Sequence, residues 1–306
     1  MTPDEYTIQE THIEVGDGHR LYVQDWGNEG AAMPVLSLHG GPGTPCSDSH
    51  KDYFNGSRQR AIFFDQRGTG RSTPYGSLEN NTTQHLIEDI TKILDSLKIN
   101  EAVLMGGSWG SCLALTFAIA HPERVKALVL YGVLTGRQEE MDWLNQAGYR
   151  TFYPDAWQAY LARTPMEQHD DPTAYHFEQI LGSDETASKA SAYAYNALDS
   201  AVMKLDDRFK PGPIDAFDPV PARIQAHYFT NSHFLPDGHI MDNTHALTIP
   251  VYMVQGRYDM VCPPSNAYNL ARKLPQAELI WATSGHTPER ESENVLRSIL
   301  LELSKG

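Results

Sequence analysis

A chain of 306 residues with 41% hydrophobic residues is long enough to bury a large core and enclose a site, and it fits one large α/β domain with an insertion. Its 24 lysines and arginines are outnumbered by 39 aspartates and glutamates, and the net charge of −15 argues against nucleic acid or an anionic membrane as a partner. Three widely spaced cysteines suggest neither a disulfide framework nor a zinc motif, and without a signal sequence or a membrane-length apolar run we expect a soluble, cytoplasmic protein.

The first part of the chain alternates predicted strands with predicted helices. The stretch HRLYVQDWG alternates apolar and polar residues as a half-exposed strand does, and buried-strand patterns follow at PVLSLHG, AIFFDQRG, AVLMGGS and ALVLYGV. SCLALTFAIAHPERV predicts one helix between these runs, and TQHLIEDITKILDSLKI predicts another, with an apolar face made of Leu86, Ile90, Ile93, Leu94 and Leu97. Short apolar strands separated by helices predict a mostly parallel central sheet flanked by helices.

The middle of the chain has a different pattern. From about residue 136 to residue 238, helical patterns rich in aromatic residues surround a proline- and glycine-rich joint, KPGPIDAFDPVP. Buried-strand patterns resume at IPVYMVQGRYD and AELIWATSGH. We therefore expect an α/β core domain made of residues 1–135 and 239–306, with residues 136–238 inserted as a helical cap.

A serine lies between glycines where the predicted strand AVLMGGS meets the helix that follows it. Gly106, Ser108 and Gly110 satisfy the pattern G-x-S-x-G, in which a sharp turn from strand to helix exposes a nucleophilic serine. A side chain at either glycine would clash with a neighbouring strand or helix. The amino-terminal end of the helix would also favour negative charge developing in front of the serine. The pattern predicts that Ser108 is a nucleophile.

A serine nucleophile needs a histidine as its base and an acid to orient that histidine. In α/β hydrolases these residues occur in the order serine, acid, histidine, each at the end of a strand. Asp259 follows the run VYMVQG and His286 follows LIWATSG, so both fit that order. An oxyanion hole would use the backbone amide of Trp109, after the nucleophile, and a second amide from the loop HGGPG. The phosphate-binding glycine patterns are absent from the sequence, which argues against a nucleotide site.

With these elements assembled, the sequence resembles the proline iminopeptidases of the α/β-hydrolase fold. The matching segments are LHGGPGTP, FFDQRGTGRS, GGSWGS, AHPERVKALVLYGV, PDAWQAYL, ARIQAHYF, QGRYDMVCPP and SGH. The resemblance implies a triad of Ser108, Asp259 and His286 and an oxyanion hole made by the amides of Gly41 and Trp109. It also implies release of an N-terminal residue, preferably proline, from short peptides without a metal or an organic cofactor.

The sequence departs from that family where the substrate amine would bind. Members usually carry one glutamate in a W-E-G segment and another in an ARIE-x-H segment, and this chain has Asn196 and Gln225 at those places. Asp199, one helical turn beyond Asn196, could supply a substitute carboxylate or lie on a solvated helix face. We expect Asn196 and Gln225, with the aromatic residues Tyr195 and Tyr228, to contact the substrate.

Three functions remain open from the sequence. The first is a proline-type aminopeptidase, and the second is an esterase or amidase that acts on small neutral substrates, which the two amide side chains favour. The third is a binding protein that uses the hydrolase fold with little turnover, because a fold does not fix a function. The expected partner is thus a small peptide, ester or amide, with no nucleic acid, membrane, metal or cofactor, and the oligomeric state does not follow from the sequence.

Overall fold

An eight-stranded sheet forms the centre of the computed structural model, which describes residues 7–205 and 210–305. The strands are β1 (Thr7–Gly16), β2 (His19–Gly27), β3 (Val35–Leu38), β4 (Arg60–Phe64), β5 (Ala102–Ser108), β6 (Val125–Val133), β7 (Val251–Gly256) and β8 (Ala277–Ala282). Their order across the sheet is β1-β2-β4-β3-β5-β6-β7-β8. The pairs β1–β2 and β2–β4 are antiparallel and all later pairs are parallel, which confirms the expected mostly parallel sheet.

The helices lie between and after these strands. They are α1 (Thr83–Ser96), α2 (Trp109–Ala120), α3 (Gln138–Asp142), α4 (Tyr149–Phe152), α5 (Pro154–Leu161), α6 (Pro172–Leu181), α7 (Glu185–Ser200), α8 (Val220–Thr230), α9 (His239–Asp242), α10 (Pro264–Lys273) and α11 (Glu291–Leu303). A π-helix, Trp143–Gly148, joins α3 to α4. No helix in the described ranges is long and apolar enough to cross a membrane.

The parallel strands are buried on both faces because helices cover both sides of the sheet. On β5, Leu104 packs in the cluster that includes α1 and α2, while Val103 and Met105 pack in the cluster that includes Leu296 and Leu300 of α11. Alternate residues of a strand point to opposite faces, so a strand covered on both faces has a continuous apolar sequence. This explains the uninterrupted apolar runs.

The two helices that flank β5 show different burial. On α1 the apolar residues Leu86, Ile90, Ile93 and Leu94 are buried, as the periodicity predicts, and Leu97 follows the last residue of the helix. Almost all of α2 is buried, including its small residues Gly110 and Ser111. A helix that is apolar on every side must be covered on every side, and α2 is enclosed between the sheet and the chain that connects β6 to β7.

The sequence analysis did not identify β1. Its residues TIQETHIEVG are largely exposed, and it pairs only with β2 at the edge of the sheet. An exposed edge strand can be polar on both faces, so it lacks the apolar pattern that identifies a buried strand.

Seven helices, α3–α9, lie between β6 and β7 in the described part of the chain. Helices α6, α7 and α8 pack on one another, and α5 packs on α7. The two ends of the predicted insertion lie together, since the backbone N–H of Gln138 donates to Asp237 Oδ1 at 2.9 Å. Gly136 and Gly238, at these ends, both have φ 75°, a left-handed conformation that glycine adopts without steric cost.

Candidate active site

Ser108 lies in a strained turn between β5 and α2. Its φ of 55° and ψ of −127° fall outside the regions that are favourable for an L-residue, at a cost on the order of 1–3 kcal/mol. The Ser111 hydroxyl donates to the carbonyl oxygen of Ser108 at 2.7 Å and accepts from the N–H of Leu134 at 2.9 Å. These bonds tie the turn to the end of β6, and the Ser108 side chain lies on the wall of a cavity.

The glycines around Ser108 are required by close packing. A Cβ on Gly106 would lie 2.2 Å from the carbonyl oxygen of Gly110, and a Cβ on Gly107 would lie 2.0 Å from the Tyr131 ring. A Cβ on Gly110 would lie 2.1 Å from the carbonyl oxygen of Leu38 in β3. Side chains at Gly106 and Gly110 would meet backbone atoms that cannot move aside, so these two positions must lack a side chain, and a side chain at Gly107 would have to displace the Tyr131 ring.

Asp259 and His286 form a buried pair near Ser108. The Nδ1 atom of His286 lies 3.1 Å from Oδ1 and 3.0 Å from Oδ2 of Asp259. Oδ1 of Asp259 accepts from the N–H of Cys262 at 2.8 Å, and Oδ2 accepts from Nε2 of Gln255 at 3.2 Å. The carboxylate is thus fixed by donors on two sides and directed at the imidazole, which leaves Nε2 of His286 available for proton transfer.

The charged surroundings of His286 set its proton affinity. Burial lowers the pKa of this imidazole, but the Asp259 carboxylate and its hydrogen bond act in the opposite direction, Asp199 adds to them, and the net pKa is raised. Both His286 and Ser108 line the cavity, whereas Asp259 lies behind the imidazole. The serine, the base and the acid that the sequence predicts therefore lie together at the carboxyl-terminal ends of β5, β7 and β8.

The loop after β3 lies directly beside the nucleophile. A Cβ on Gly40 would lie 3.5 Å from Cβ of Ser108, and Gly41, with φ 113°, lies on the same cavity wall. Trp109 is the first residue of α2, where a backbone N–H has no partner within the helix. The amides of Gly41 and Trp109, which the sequence predicts as the oxyanion hole, therefore lie on the two chain segments that meet at Ser108.

His39 and Gln66 connect these two segments, a role that the sequence analysis missed. Nε2 of His39 accepts from the N–H of Gln66 at 2.9 Å, and the Gln66 amide donates to the carbonyl oxygen of His39 at 2.9 Å. The Gln66 side-chain oxygen accepts from the Trp109 indole at 2.9 Å. Burial lowers the pKa of His39 to about 4, so the imidazole stays neutral and can accept. Both residues stand in quoted motifs, LHGGPGTP and FFDQRGTGRS, but only the parallel pairing of β3 with β4 brings them together.

A cavity of about 700 Å³ lies above the nucleophile. Ser108, His286 and Gly41 form its sheet side, and Asn196, Asp199 and Gln225 lie on its helical side. The three polar residues that the sequence singles out on α7 and α8 thus face the same space as the nucleophile.

Among the described residues of the helical insertion, Asp199 is the carboxylate on the cavity lining. Its Oδ1 accepts from the Tyr149 hydroxyl at 2.9 Å, the one side-chain hydrogen bond it accepts from the described residues. Burial raises the pKa of Asp199, while the Tyr149 hydrogen bond and the charge of His286 act in the opposite direction. The remaining oxygen lone pairs can accept from a cation in the cavity. Asp199 therefore lies on the cavity wall and not on a solvated helix face.

Tyr195 and Tyr228 are buried behind the cavity wall and do not line it. The Tyr195 ring packs edge-to-face on Phe177, with 4.8 Å between ring centroids. The Tyr228 ring packs on Trp109 at 4.9 Å, and its hydroxyl donates to Asn81 at 2.9 Å. Their rings support the wall from behind, so the two tyrosines do not face the cavity in which the substrate contacts were expected. The sequence pattern of a helix does not distinguish a tyrosine that lies on the cavity wall from one that lies behind it.

Cys262 lies near Ser108. Its side chain is buried, and it lines the same cavity as Ser108. Burial raises the pKa of the thiol well above its ordinary value, so Cys262 stays a neutral thiol and not a nucleophile. Cys112 is also buried, on α2.

Comparisons with known proteins show the family of this chain. A family described as alpha/beta hydrolase fold matches residues 33–288. A proline iminopeptidase from Xylella fastidiosa is 39% identical over 298 residues, which cover 94% of this chain and 92% of that protein. One from Arabidopsis thaliana is 38% identical over 291 residues, covering 90% of this chain and 74% of that protein.

Solved structures share the fold at much lower identity. An esterase from Exiguobacterium antarcticum superposes with a TM-score of 0.66 at 19% identity, covering 97% of this chain and 100% of that one. A proline iminopeptidase from Mycobacterium smegmatis superposes with a TM-score of 0.62 at 20% identity, covering 97% and 98% of the two chains.

Proposed function

Because the chain belongs to the proline iminopeptidases of the α/β-hydrolase fold, we propose that it releases an N-terminal residue, preferably proline, from short peptides. The observation that carries this proposal is the joint presence, on one cavity, of a strained Ser108, an Asp259-oriented His286 and a carboxylate on the facing helix. The first two supply acyl transfer, and the third supplies a partner for a free N-terminal amine. In this proposal residues 136–238 act as the cap that closes over the substrate.

The chemistry proceeds through an acyl-enzyme. Nε2 of His286 takes the proton of the Ser108 hydroxyl as the oxygen attacks the carbonyl carbon of the first residue. The amides of Gly41 and Trp109 donate to the oxyanion of the tetrahedral intermediate. His286 then gives its proton to the leaving nitrogen, and a water attacks the acyl-enzyme by the same route. Asp259 holds the imidazole and stabilises its charged form without itself being protonated.

We assign the amine contact to Asp199. Asn196 and Gln225 line the same cavity, but they are amides that can accept a hydrogen bond without adding negative charge. Asp199 is the one carboxylate that the described part of α3–α9 contributes to the cavity lining, and an ammonium bound to it would favour its ionised form. In this assignment Asn196 and Gln225 complete the amine site as neutral acceptors.

A second candidate function is hydrolysis of small neutral esters or amides. The amide side chains of Asn196 and Gln225 on the cavity wall favour it, because neither requires a charged substrate. Asp199 weighs against it, since a partly buried carboxylate without a cation is costly in the presence of a neutral ligand.

Two substrates separate these functions. We expect the enzyme to release free proline from a proline-initiated tripeptide, detected by chromatography, with a kcat/KM above that for a short-chain nitrophenyl ester. An enzyme that hydrolyses the ester and leaves the tripeptide intact would contradict the aminopeptidase proposal and support the esterase. Turnover of neither substrate would contradict both.

A further inference from the structure

The part of the cavity that receives the leaving group has its own charged residues. His286 must reach the leaving nitrogen to protonate it, so the residue that follows the scissile bond lies beside the loop that carries His286. One residue spans about 3.3–3.8 Å of chain. In a dipeptide, the C-terminal carboxylate therefore lies one residue length beyond the leaving nitrogen that His286 protonates.

Two cationic side chains flank that loop. Arg290 lies four residues after His286 and lines the cavity at its exposed edge. Lys204, which also lines the cavity, lies next to Met203, whose carbonyl oxygen accepts from the N–H of Thr287 at 2.9 Å. This hydrogen bond fixes the Lys204 segment against the His286 loop.

Arg290 is available to a ligand. Among the residues that the structure describes, its guanidinium makes no hydrogen bond or ion pair. Its backbone has a φ of 28°, in the range that L-residues rarely adopt. A guanidinium presents paired donors that match a carboxylate, so this residue type suits a C-terminal carboxylate in particular.

The acidic residues on the same wall are partly engaged by other protein groups. The cavity lining includes Asp52, Glu289 and Glu293. Glu293 pairs with Arg297 at 3.5 Å, and Glu289 accepts from the N–H of Gly285 at 3.4 Å. Two of these three carboxylates are thus engaged by neighbouring protein groups.

From this arrangement we propose that Arg290 binds the free C-terminal carboxylate of the leaving group, so that the preferred substrates are zwitterionic dipeptides. The inference rests on the proposed function, because it places the leaving group beside His286 during peptide cleavage. Asp199 and Arg290 would then recognise the two opposite charges of one dipeptide. A peptide amide or an anilide lacks the negative charge and loses the Arg290 contact.

The test compares prolyl-glycine with prolyl-glycinamide and with proline anilide. For the unmodified enzyme, kcat/KM for the dipeptide should exceed that for its amide by about threefold to tenfold. Arg290→Met should bring the two values together, and added salt should reduce the preference of the unmodified enzyme. Arg58→Met, which removes an exposed arginine that does not line the cavity, should keep the preference.

The outcomes separate the two proposals. Anilide turnover together with equal rates for dipeptide and amide would overturn the Arg290 assignment and leave the peptidase function intact. A dipeptide preference that survives in Arg290→Met would also overturn it. Failure to cleave all three substrates would contradict the proposed function, and the carboxylate site would fall with it.

Discussion

Two aspartates near His286 differ in how they are held. Asp259, at the end of β7, receives hydrogen bonds from the Cys262 amide, the Gln255 side chain and His286. Asp199, on α7, accepts one side-chain bond from the described residues, donated by Tyr149. The first carboxylate is fully occupied in orienting the imidazole, whereas the second retains capacity for a ligand.

This difference separates the two tasks of the site. Ser108, Asp259 and His286 lie at the carboxyl-terminal end of the sheet. There, donors from neighbouring strands and loops hold Asp259, and glycine packing fixes Ser108. The helical side of the cavity offers polar groups that the protein does not saturate. We infer that the carboxyl-terminal end of the sheet determines the reaction and that the helical insertion determines which substrate reacts.

The largest expected effect tests the nucleophile at the carboxyl-terminal end of the sheet. Ser108→Ala removes the attacking oxygen, so kcat should fall on the order of 10⁴-fold or more. Thermal denaturation should show a folded protein, because the half-buried Ser108 side chain faces the cavity and its loss of one hydroxyl opens no core cavity. A purified variant that retains near-normal turnover would rule out the serine mechanism.

The second effect tests how tightly His286 is held. A Cβ on Gly132 would lie 3.0 Å from Cε1 of His286 and 3.1 Å from its Nδ1. Gly132→Ala should therefore displace the imidazole and lower kcat about 100-fold, as small misplacements of catalytic groups do.

Gly18→Ala is the matched control for Gly132→Ala. Gly18 also has a positive φ, 76°, but nothing lies within 4 Å of a Cβ there. Both variants bear the cost of a left-handed alanine, on the order of 1–2 kcal/mol, and only Gly132→Ala meets His286. Equal losses of kcat in both would show that backbone strain, and not the contact with His286, causes the effect.

The third effect is the pH dependence of kcat/KM. His286 acts as a base only when it is neutral, and its pKa is raised above the ordinary 6.5. Activity should therefore be lost as the pH falls through this raised pKa, about tenfold per pH unit below it. Asp199→Asn removes a charge that raises that pKa, so with a neutral ester substrate the acidic limb should move to lower pH. A limb that stays in place would mean that Asp199 does not act on His286.

The smallest effect concerns the thiol beside the nucleophile. Cys262 is a neutral, buried group, so Cys262→Ser should keep activity within about threefold. Bulky mercurials should inhibit the unmodified enzyme by obstruction and inhibit the variant less. Loss of turnover in a folded Cys262→Ser protein would give the thiol a chemical role.

Much of the site at the carboxyl-terminal end of the sheet could be predicted from the sequence, because backbone geometry restricts where these residues can lie. Ser108 between glycines, and Asp259 and His286 after apolar runs, are local patterns, and parallel strands bring their ends together. The continuous apolar runs also predict the parallel strands. The polar edge strand β1 has no such pattern and was missed.

The helical side of the cavity could be predicted less well, because its residues come together through tertiary packing. The sequence identifies Asn196 and Gln225 by resemblance, but it does not distinguish Tyr195 and Tyr228, behind the wall, from residues on it. The contact of His39 with Gln66 and the hydrogen bond of Tyr149 to Asp199 join residues far apart in the chain. A single sequence carries no direct signal of such contacts.

The comparison between the two aspartates is tested most directly by Asp199→Asn, assayed with a free-amine proline anilide and with its N-acetylated counterpart. We expect the unmodified enzyme to prefer the free amine, and the variant to lose about 30-fold to 5000-fold in kcat/KM for it, as losing one partner of a buried charge pair costs about 2–5 kcal/mol. Turnover of the acetylated substrate should change little, and Asp155→Asn, an exposed control on α5, should change neither. An equal loss on both substrates, or an unchanged preference for the free amine, would contradict the account.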